Sequence, residues 1–362
     1  MAVTQAELEQ SLARWIDPYT GKDLLSARMI RHASVEADRA LVSVALGYPA
    51  GGYHAELKEA LASQVRADTG INEVVVEINT DIVSHSVQKN LKPLPGAKNI
   101  IAVASGKGGV GKSTTSVNLA VSLASEGARV GLLDADIYGP SVPLMLGLSG
   151  QPEVREGNRI VPMQAHGVQA MSIGFLVDDE QAMIWRGPMV TGALQQLLSQ
   201  TAWDNLDYLI IDLPPGTGDI QLTLAQQIPV SGALVVTTPQ DIALLDAQRG
   251  LRMFKQVNIP VLGLVENMSV HICSNCGHAE SIFGEGGGEK MAARQGTELL
   301  GALPLDICIR EQSDEGVPVV VADPNGKPAQ LYRDIARKLA ARLALRSRDY
   351  SARFPTIKVV ND

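Results

Sequence analysis

Cysteine is scarce in this chain, and long apolar runs and an excess of positive charge are absent from it. Only three of the 362 residues are cysteine, which excludes a disulfide-rich scaffold and favours a reducing compartment. No segment approaches the roughly 20 apolar residues of a membrane-spanning helix, and residues 1–7 lack the basic-then-apolar pattern of a secretion signal. The formal net charge of −8 argues against a general nucleic-acid binder. We therefore expect a cytoplasmic protein that has neither membrane nor nucleic acid as a partner.

The composition is that of an ordinary folded protein, and the length allows two domains. Apolar residues make up 45% and charged residues 19% of the chain, which excludes general disorder. Residues 88–98 contain two prolines, one glycine and three lysines with little apolar periodicity, which is typical of an extended linker. Residues 1–87 are expected to form a small α/β domain before this linker. Their patterns predict helices at 5–14 and 53–66 and strands at 40–46 and 72–79.

Residues 99–362 have the pattern of an α/β domain built on a mostly parallel sheet with flanking helices. Near-continuous apolar runs alternate with amphipathic helices, as in sheets that are buried on both faces. Ligands of such folds bind at the carboxyl ends of the strands. The apolar stripe over residues 329–345 predicts a helix docked against this core. The predicted strands are 100–104, 130–133, 208–212, 233–237, 261–265 and 299–303.

A glycine-rich loop follows the first of these strands and has the features of a phosphate-binding loop. Its glycines let the chain curl around a phosphate, and the helix that it opens into points backbone N–H groups at the anion. Lys112 supplies a charge for the β- and γ-phosphates, and the Ser113 hydroxyl is the expected Mg²⁺ ligand. The alternative is a chance match in a strand–helix turn. The predicted nucleotide-binding residues are Gly106, Lys107, Gly108, Gly109, Val110, Gly111, Lys112, Ser113 and Thr114.

Carboxylates follow two further predicted strands. Asp134 and Asp136 stand two positions apart, and a carboxylate near a γ-phosphate can orient or deprotonate the attacking water. The alternative is a pair of solvated loop carboxylates. Asp212 ends a run of four apolar residues, which is the pattern of an aspartate that holds Mg²⁺. We expect the following segment, residues 214–219, to sense the γ-phosphate through a backbone N–H.

Cys273 and Cys276 form the chain's Cys-x-x-Cys pair. Two thiolates at this spacing reach one metal centre but do not complete it. Three interpretations remain open: a 4Fe–4S cluster shared by two chains, a zinc ion completed by His271 or His278, and a redox-active dithiol. A purely structural pair is the fourth. Cys308 stands in an apolar context, where we expect a buried thiol.

Lys107, directly after the first glycine of the loop, is not required in an ordinary phosphate loop. The loop resembles the deviant Walker A motif of the MinD/ParA/nitrogenase-iron-protein class of ATPases. This resemblance implies a homodimer in which Lys107 reaches the partner's nucleotide, rather than a solvated loop lysine. It also implies that Asp136 acts on the attacking water and that Asn267 hydrogen-bonds adenine, although an asparagine after a strand is equally a turn residue. ATP as the nucleotide rests on the same resemblance.

Residues 99 to about 345 resemble a narrower group, the Mrp/ApbC family of iron–sulfur cluster carrier ATPases, because the cysteine pair follows Asn267 closely. Residues 1–87 resemble the small iron–sulfur-assembly domain that is commonly fused to these ATPases. The chain departs from its relatives at Ser274, where proline is common, and its small domain has no cysteine, which favours partner docking over cluster binding there.

This family resemblance implies a specific activity and specific partners. The expected cofactors are ATP, Mg²⁺ and a 4Fe–4S cluster, and the expected activity is slow, Mg²⁺-dependent ATP hydrolysis. A homodimer would hold the cluster at its interface and exchange it with cluster donors and apo iron–sulfur proteins. The alternative is a ParA/MinD-type positioning ATPase, which shares the nucleotide machinery but does not need the cysteine pair.

Overall fold

A computed structural model describes residues 3–176, 187–273 and 275–348. Its N-terminal part is a small α/β unit in which β1 pairs antiparallel with β2, and β2 pairs parallel with β3. The second helix buries Leu57, Leu61 and Val65 on one face, which confirms the predicted helical spacing. The elements are α1 (Gln5–Leu12), β1 (Ile30–Glu36), β2 (Arg39–Leu46), α2 (His54–Thr69) and β3 (Glu73–Thr80).

Strand β1 is missing from the sequence prediction. None of its seven residues is fully buried, and its partly buried and exposed residues do not alternate. A strand without an alternating pattern has no period-two signal. Its pairing with β2 holds it in place, and that pairing is a tertiary feature that local sequence does not reveal.

The larger part of the chain alternates strands and helices, as its apolar runs predict. Its elements are β4 (Ala97–Ser105), α3 (Lys112–Ser125), β5 (Val130–Asp134), α4 (Val142–Met145), β6 (Val154–Arg155), β7 (Arg159–Ile160), β8 (Met163–Ala165), β9 (Val168–Ser172), α5 (Gly187–Gln200), β10 (Leu206–Asp212), α6 (Asp219–Gln227), β11 (Gly232–Thr237), α7 (Asp241–Gln256), β12 (Val261–Glu266), β13 (His271–Ile272), β14 (Ala279–Glu280), α8 (Gly287–Gln295), β15 (Leu299–Ala302), α9 (Ile307–Asp314), α10 (Val319–Ala322) and α11 (Lys327–Ala344).

The main sheet has the strand order β15-β12-β11-β4-β10-β5-β9-β8 within the described residues. All of these pairs are parallel except β8 with β9, which confirms the predicted mostly parallel sheet. Strand β4 lies between β10 and β11, and Asp212 of β10 is in register with Asp134 of β5. The phosphate loop and the two aspartates therefore meet at one edge, where the strands end.

Helix α11 is the docked helix that the apolar stripe predicts. It buries Ile335, Leu339 and Leu343. One buried apolar cluster continues from the N-terminal unit into the side of the sheet that α3 and α11 cover. Among the described residues, no helix combines the length and the apolarity that crossing a bilayer requires.

The segment interpreted as an extended linker is held against the larger part of the chain. The Gln88 side-chain amide donates to the carbonyl oxygens of Ala225 and Ile228 at 2.9 and 3.1 Å. Its Oε1 accepts the Val230 N–H at 3.0 Å. Strand β4 begins at Ala97, so the last two residues of the segment belong to the sheet. These contacts hold both ends of segment 88–98 against the larger part of the chain.

Candidate nucleotide site and cysteine pair

The phosphate loop connects β4 to α3 and depends on glycine at defined positions. Gly109 and Gly111 have φ angles of 79° and 80°, in the left-handed region that favours glycine. A Cβ atom at Gly106 would lie 2.1 Å from the Asp246 carbonyl carbon, so only glycine lets the loop approach α7 this closely. Helix α3 then starts at Lys112, which gives the loop the N-terminal N–H groups that bind anions.

Asp212 contacts three polar side chains at the start of α3. Its carboxylate is fully buried and lies 2.7 Å from the Lys112 ammonium, whose side chain is only 6% exposed. The Ser113 and Ser116 hydroxyls each donate to it at 2.6 Å. The structure thus brings together the two residues that the sequence nominates for Mg²⁺, and hydroxyl and carboxylate oxygens are ligands of the type that Mg²⁺ prefers. Ser116 was not predicted, although its position one turn after Ser113 puts both on one face of α3.

The two aspartates after β5 have different surroundings. Asp134 is fully buried and accepts the N–H groups of Asp136 and Val142 at 3.1 and 3.2 Å and the Ser172 hydroxyl at 3.2 Å. Burial, and then the nearby Asp212 charge, raise the pKa of Asp134 to about 7. Asp136 is partly buried, and burial also raises its pKa. Asp134 therefore holds this segment together, and Asp136 is the more accessible carboxylate.

The segment after β10 lies against the phosphate loop. The Gly216 N–H donates to the Ser105 carbonyl oxygen at 3.0 Å. The Gln221 side chain donates to the Pro214 carbonyl oxygen. A Cβ at Gly108 would be 3.9 Å from the Pro215 side chain. This proximity is required if the segment senses the γ-phosphate, which stays a prediction.

Asn267 lies at the end of β12 and contacts the phosphate loop. Its side-chain amide donates to the Val110 carbonyl oxygen at 2.9 Å, and its backbone N–H donates to Thr237 at 2.7 Å. A Cβ at Gly111 would lie 2.1 Å from the same amide nitrogen. Asn267 is 6% exposed. Its predicted contact with adenine is not tested, but the residue directly connects β12 to the loop.

Lys107 is exposed. Its backbone carbonyl accepts the Ser105 hydroxyl at 2.9 Å, which holds the backbone of the loop at this position. Among the described residues, no acceptor lies within hydrogen-bonding or ion-pairing distance of its ammonium group. An exposed lysine of this kind is free to contact a second molecule, as its predicted role requires.

The cysteine pair occupies the turn between the short strands β13 and β14. The Cys273 N–H donates to the His278 carbonyl oxygen at 2.9 Å, and the Gly277 N–H donates to the Cys273 carbonyl oxygen at 2.8 Å. Hydrogen bonds from the backbone N–H groups of Cys276 and Asn275 lower the pKa of Cys273. A lowered pKa favours the thiolate, which is the metal-binding form. Cys276 is exposed, and Ser274 lies outside the described residues.

No third ligand joins this pair within the described part of one chain. No group of three or more histidine, cysteine or acidic side chains there could hold a metal ion. The His271 Nδ1 atom instead contacts the Leu305 carbonyl oxygen at 3.2 Å. Cys308 lies at the start of α9, partly rather than fully buried, and burial raises its pKa to about 12. Among the described residues, neither a histidine nor Cys308 is therefore grouped with Cys273 and Cys276.

Known proteins match both parts of the chain. Residues 96–340 match a family described as NUBPL iron-transfer P-loop NTPase, and residues 5–78 match one described as iron-sulfur cluster assembly protein. The chain is 61% identical over 269 residues to the iron-sulfur cluster carrier protein of Pseudomonas fragi, across 74% of this chain and 94% of that protein. It is 50% identical over 340 residues to the iron-sulfur cluster carrier protein of Escherichia coli K12, across 94% and 92% of the two proteins.

Solved structures match the larger part of the chain. A nucleotide-binding protein from Archaeoglobus fulgidus, solved in complex with ADP, is 36% identical and superposes with a TM-score of 0.56 over 66% of this chain and 93% of that one. The cell division ATPase MinD of Pyrococcus furiosus is 26% identical, with a TM-score of 0.53 over 67% and 98% of the two chains.

Proposed function

This chain belongs to the iron–sulfur cluster carrier family of P-loop NTPases, and on that premise we propose that it carries a 4Fe–4S cluster between the subunits of a homodimer. The observation that carries the proposal is the pair formed by the partly buried Cys273 and the exposed Cys276, which has no third ligand among the described residues. A four-iron cluster takes four thiolates, and two chains supply four. Apo iron–sulfur proteins would receive the cluster. We propose residues 1–87 and 99–362 as the two domains and 88–98 as their connection.

The nucleotide site would act as the switch of this carrier. In this proposal the loop binds ATP, Lys112 contacts its β- and γ-phosphates, and Ser113 and Asp212 hold Mg²⁺. When bound, Mg²⁺ neutralises charge on the phosphate oxygens. Asp136 would orient or deprotonate the attacking water, and its raised pKa suits a group that takes up a proton. Loss of the γ-phosphate would then release the segments that contact it.

A short covalent path supports coupling between the nucleotide and the cysteines. Asn267, bonded to the phosphate loop through Val110, stands six residues before Cys273. Between them the Ser269 N–H donates to the Leu303 carbonyl oxygen at 2.9 Å, which ties the segment to the end of β15. A movement of the loop would therefore reach the cysteine turn through a short segment that is held at Ser269.

Exposed apolar side chains support association with a second chain. Ile272, directly before Cys273, is 42% exposed, and Ile282, after β14, is 51% exposed. Tyr138, two residues after Asp136, is 59% exposed. Apolar residues exposed beside functional groups are typical of interaction surfaces. An interface here would place two cysteine turns and two nucleotide sites near one another.

Iron and acid-labile sulfide counts after anaerobic reconstitution test this function. The wild type should hold about two irons and two sulfides per chain, which corresponds to one four-iron cluster per dimer. Cys273→Ser/Cys276→Ser should lose both, whereas Cys308→Ser, the matched control, should retain them. Bound zinc, or no metal in any of the proteins, would contradict the carrier proposal and favour a positioning ATPase, which ATP-dependent co-sedimentation with liposomes or DNA would then detect.

A further inference from the structure

A buried polar and aromatic cluster joins the N-terminal unit to the larger part of the chain. This junction cluster consists of Tyr19, Tyr53, Glu126 and Arg337. The Arg337 guanidinium donates to the Glu126 carboxylate at 2.6 Å and to the Tyr19 hydroxyl at 2.8 Å. Its central carbon lies 5.4 Å from the Tyr19 ring centroid and 6.0 Å from that of Tyr53. One arginine thus contacts two aromatic rings and the carboxylate at the same time.

Backbone groups of the N-terminal unit complete the junction. The Gly51 N–H donates to the Glu126 carbonyl oxygen at 3.1 Å, and the Gly52 N–H donates to the Glu126 carboxylate at 2.9 Å. A Cβ at Gly52 would lie 2.9 Å from Arg337 Nη2 and 3.1 Å from Glu126 Oε1. The two parts of the chain therefore approach so closely that a side chain at position 52 would have to displace the ends of Arg337 and Glu126.

The junction charges are shielded from water. The side chains of Glu126 and Arg337 are 3% and 12% exposed. A buried ion pair depends strongly on both partners, because removing one leaves an uncompensated charge inside the protein. An ion pair on the surface has no comparable effect. The cluster therefore favours the docked arrangement of the N-terminal unit, and the continuous apolar cluster beneath it stabilises the same arrangement.

Helix α3 connects this junction to the phosphate loop. It starts with Lys112 in the nucleotide site, ends at Ser125, and Glu126 follows directly. A helix of 14 residues spans about 21 Å. The N-terminal unit therefore contacts the C-terminal end of α3, and the N-terminal end of the same helix belongs to the nucleotide site.

We propose that the junction cluster couples nucleotide binding to docking of the N-terminal unit. The docked unit fixes the C-terminal end of α3, and nucleotide fixes its N-terminal end, so each event favours the other. Coupling between two sites is reciprocal: if docking strengthens nucleotide binding by some factor, nucleotide strengthens docking by the same factor. The inference rests on nucleotide binding by the phosphate loop, but it does not require cluster transfer.

The test uses MgADP as the probe and the full-length chain without iron. Affinity for MgADP and hydrogen exchange of residues 48–57 are measured in the wild type, Tyr19→Phe and Glu126→Gln/Arg337→Met. The double variant removes the charges of Glu126 and Arg337 together, which avoids a buried unpaired ion. Asp334, 3.6 Å from the Arg337 guanidinium, keeps its charge, but its side chain is 50% exposed. Arg342→Met is the matched control, because it removes an arginine from the same helix whose ion pair with Glu298 lies outside the junction.

MgADP should slow exchange of residues 48–57 in the wild type. The double variant should exchange there faster and bind MgADP about fivefold more weakly or worse, which is the lower range of coupling effects. Tyr19→Phe should show a smaller change of the same sign, and Arg342→Met should match the wild type. Tyr19→Phe keeps the test decisive if the double variant does not fold.

Two results would overturn the inference. In one, MgADP binds the wild type without slowing exchange of residues 48–57. In the other, a variant with faster exchange there binds MgADP with wild-type affinity. A wild type that does not bind MgADP at all would contradict nucleotide binding itself, and is distinguishable from both.

Discussion

The Ser113 hydroxyl donates to the Asp212 carboxylate at 2.6 Å, although the two residues are 99 positions apart in the chain. Asp212 also accepts the Ser116 hydroxyl at 2.6 Å and lies 2.7 Å from the Lys112 ammonium. One buried carboxylate therefore sets the positions of three side chains at the start of α3. This arrangement holds the predicted Mg²⁺ ligands close together, and it connects the stability of the fold to the chemistry of the site.

Asp212→Asn should destabilise the protein in the absence of nucleotide. The substitution retains the shape of the side chain but leaves the Lys112 ammonium, 6% exposed, without its counter-charge. Removal of one partner of a buried ion pair lowers the free energy of unfolding by about 3 kcal/mol. Urea unfolding measures this loss. Asp314→Asn, which breaks an exposed pair with Arg310, is the control and should cost less than about 1 kcal/mol. Equal stability of the two variants would contradict the structural role of Asp212.

Lys107→Ala should separate nucleotide binding from hydrolysis. Because its side chain is exposed and has no described partner within the chain, we expect MgADP affinity close to that of the wild type. If Lys107 acts on a partner's nucleotide, hydrolysis should fall by about a thousandfold or more, the lower end of the range for cationic groups supplied in trans. Lys112→Ala should instead weaken binding itself. Unchanged ATP turnover and unchanged cluster transfer in Lys107→Ala would exclude the dimer mechanism.

The parts of the site that the sequence predicts are those that local pattern determines. The phosphate loop and Asp212 each follow a continuous apolar run, so their positions at the ends of buried strands can be inferred without knowing the sheet order. For the same reason, the six strands predicted for residues 99–362 agree with β4, β5, β10, β11, β12 and β15 to within a few residues. Chain-local signals therefore predict both the sheet and the residues at its edge.

The parts that were not predicted depend on contacts between distant segments. The Asn267 amide contacts Val110, 157 positions away, and Glu126 contacts Arg337, 211 positions away. Neither pair has a local pattern. The sheet also extends through β9 and β8, which are short and mixed in character and gave no clear strand signal. The contacts of Asn267 with Val110 and of Glu126 with Arg337 follow from the three-dimensional arrangement, and no periodic pattern in the sequence indicates them.

Alkylation should distinguish Cys273 from Cys308 by rate. Backbone hydrogen bonds lower the pKa of Cys273, whereas burial raises the pKa of Cys308 to about 12. Since the thiolate is the nucleophile, iodoacetamide at neutral pH should modify Cys273 about a hundredfold faster or more. The reaction at Cys273 should persist below the pH at which an ordinary thiol stops reacting. Mass spectrometry of the apo-protein measures both rates, and Cys308→Ser checks the assignment. Faster modification of Cys308 would contradict the described environments.

His85 should make the protein less stable as the pH falls. Its ring is 2% exposed, Nδ1 lies 2.9 Å from Asn99 Oδ1, and Nε2 has no partner among the described residues. Burial lowers the pKa of His85 below the 6.5 that is usual for a histidine. The unfolded chain therefore takes up the proton first, so stability is retained above about pH 6.5 and is lost as the pH falls towards the lower pKa of the folded state. The slope is at most about 1.4 kcal/mol per pH unit for one group.

The matched variant His85→Gln isolates this contribution. Glutamine is polar and of similar length but does not titrate, so urea unfolding between pH 7.5 and pH 5 should show a flatter dependence of stability on pH than in the wild type. Burial also lowers the pKa of His54, which contributes with the same sign as His85, whereas the raised pKa of Asp134 contributes with the opposite sign in this pH range and is common to all the variants. The His85→Gln/His54→Gln double variant should be flatter still. If the wild type and both variants have parallel pH profiles, these imidazoles are not held neutral by burial, and the acid loss of stability arises from other groups.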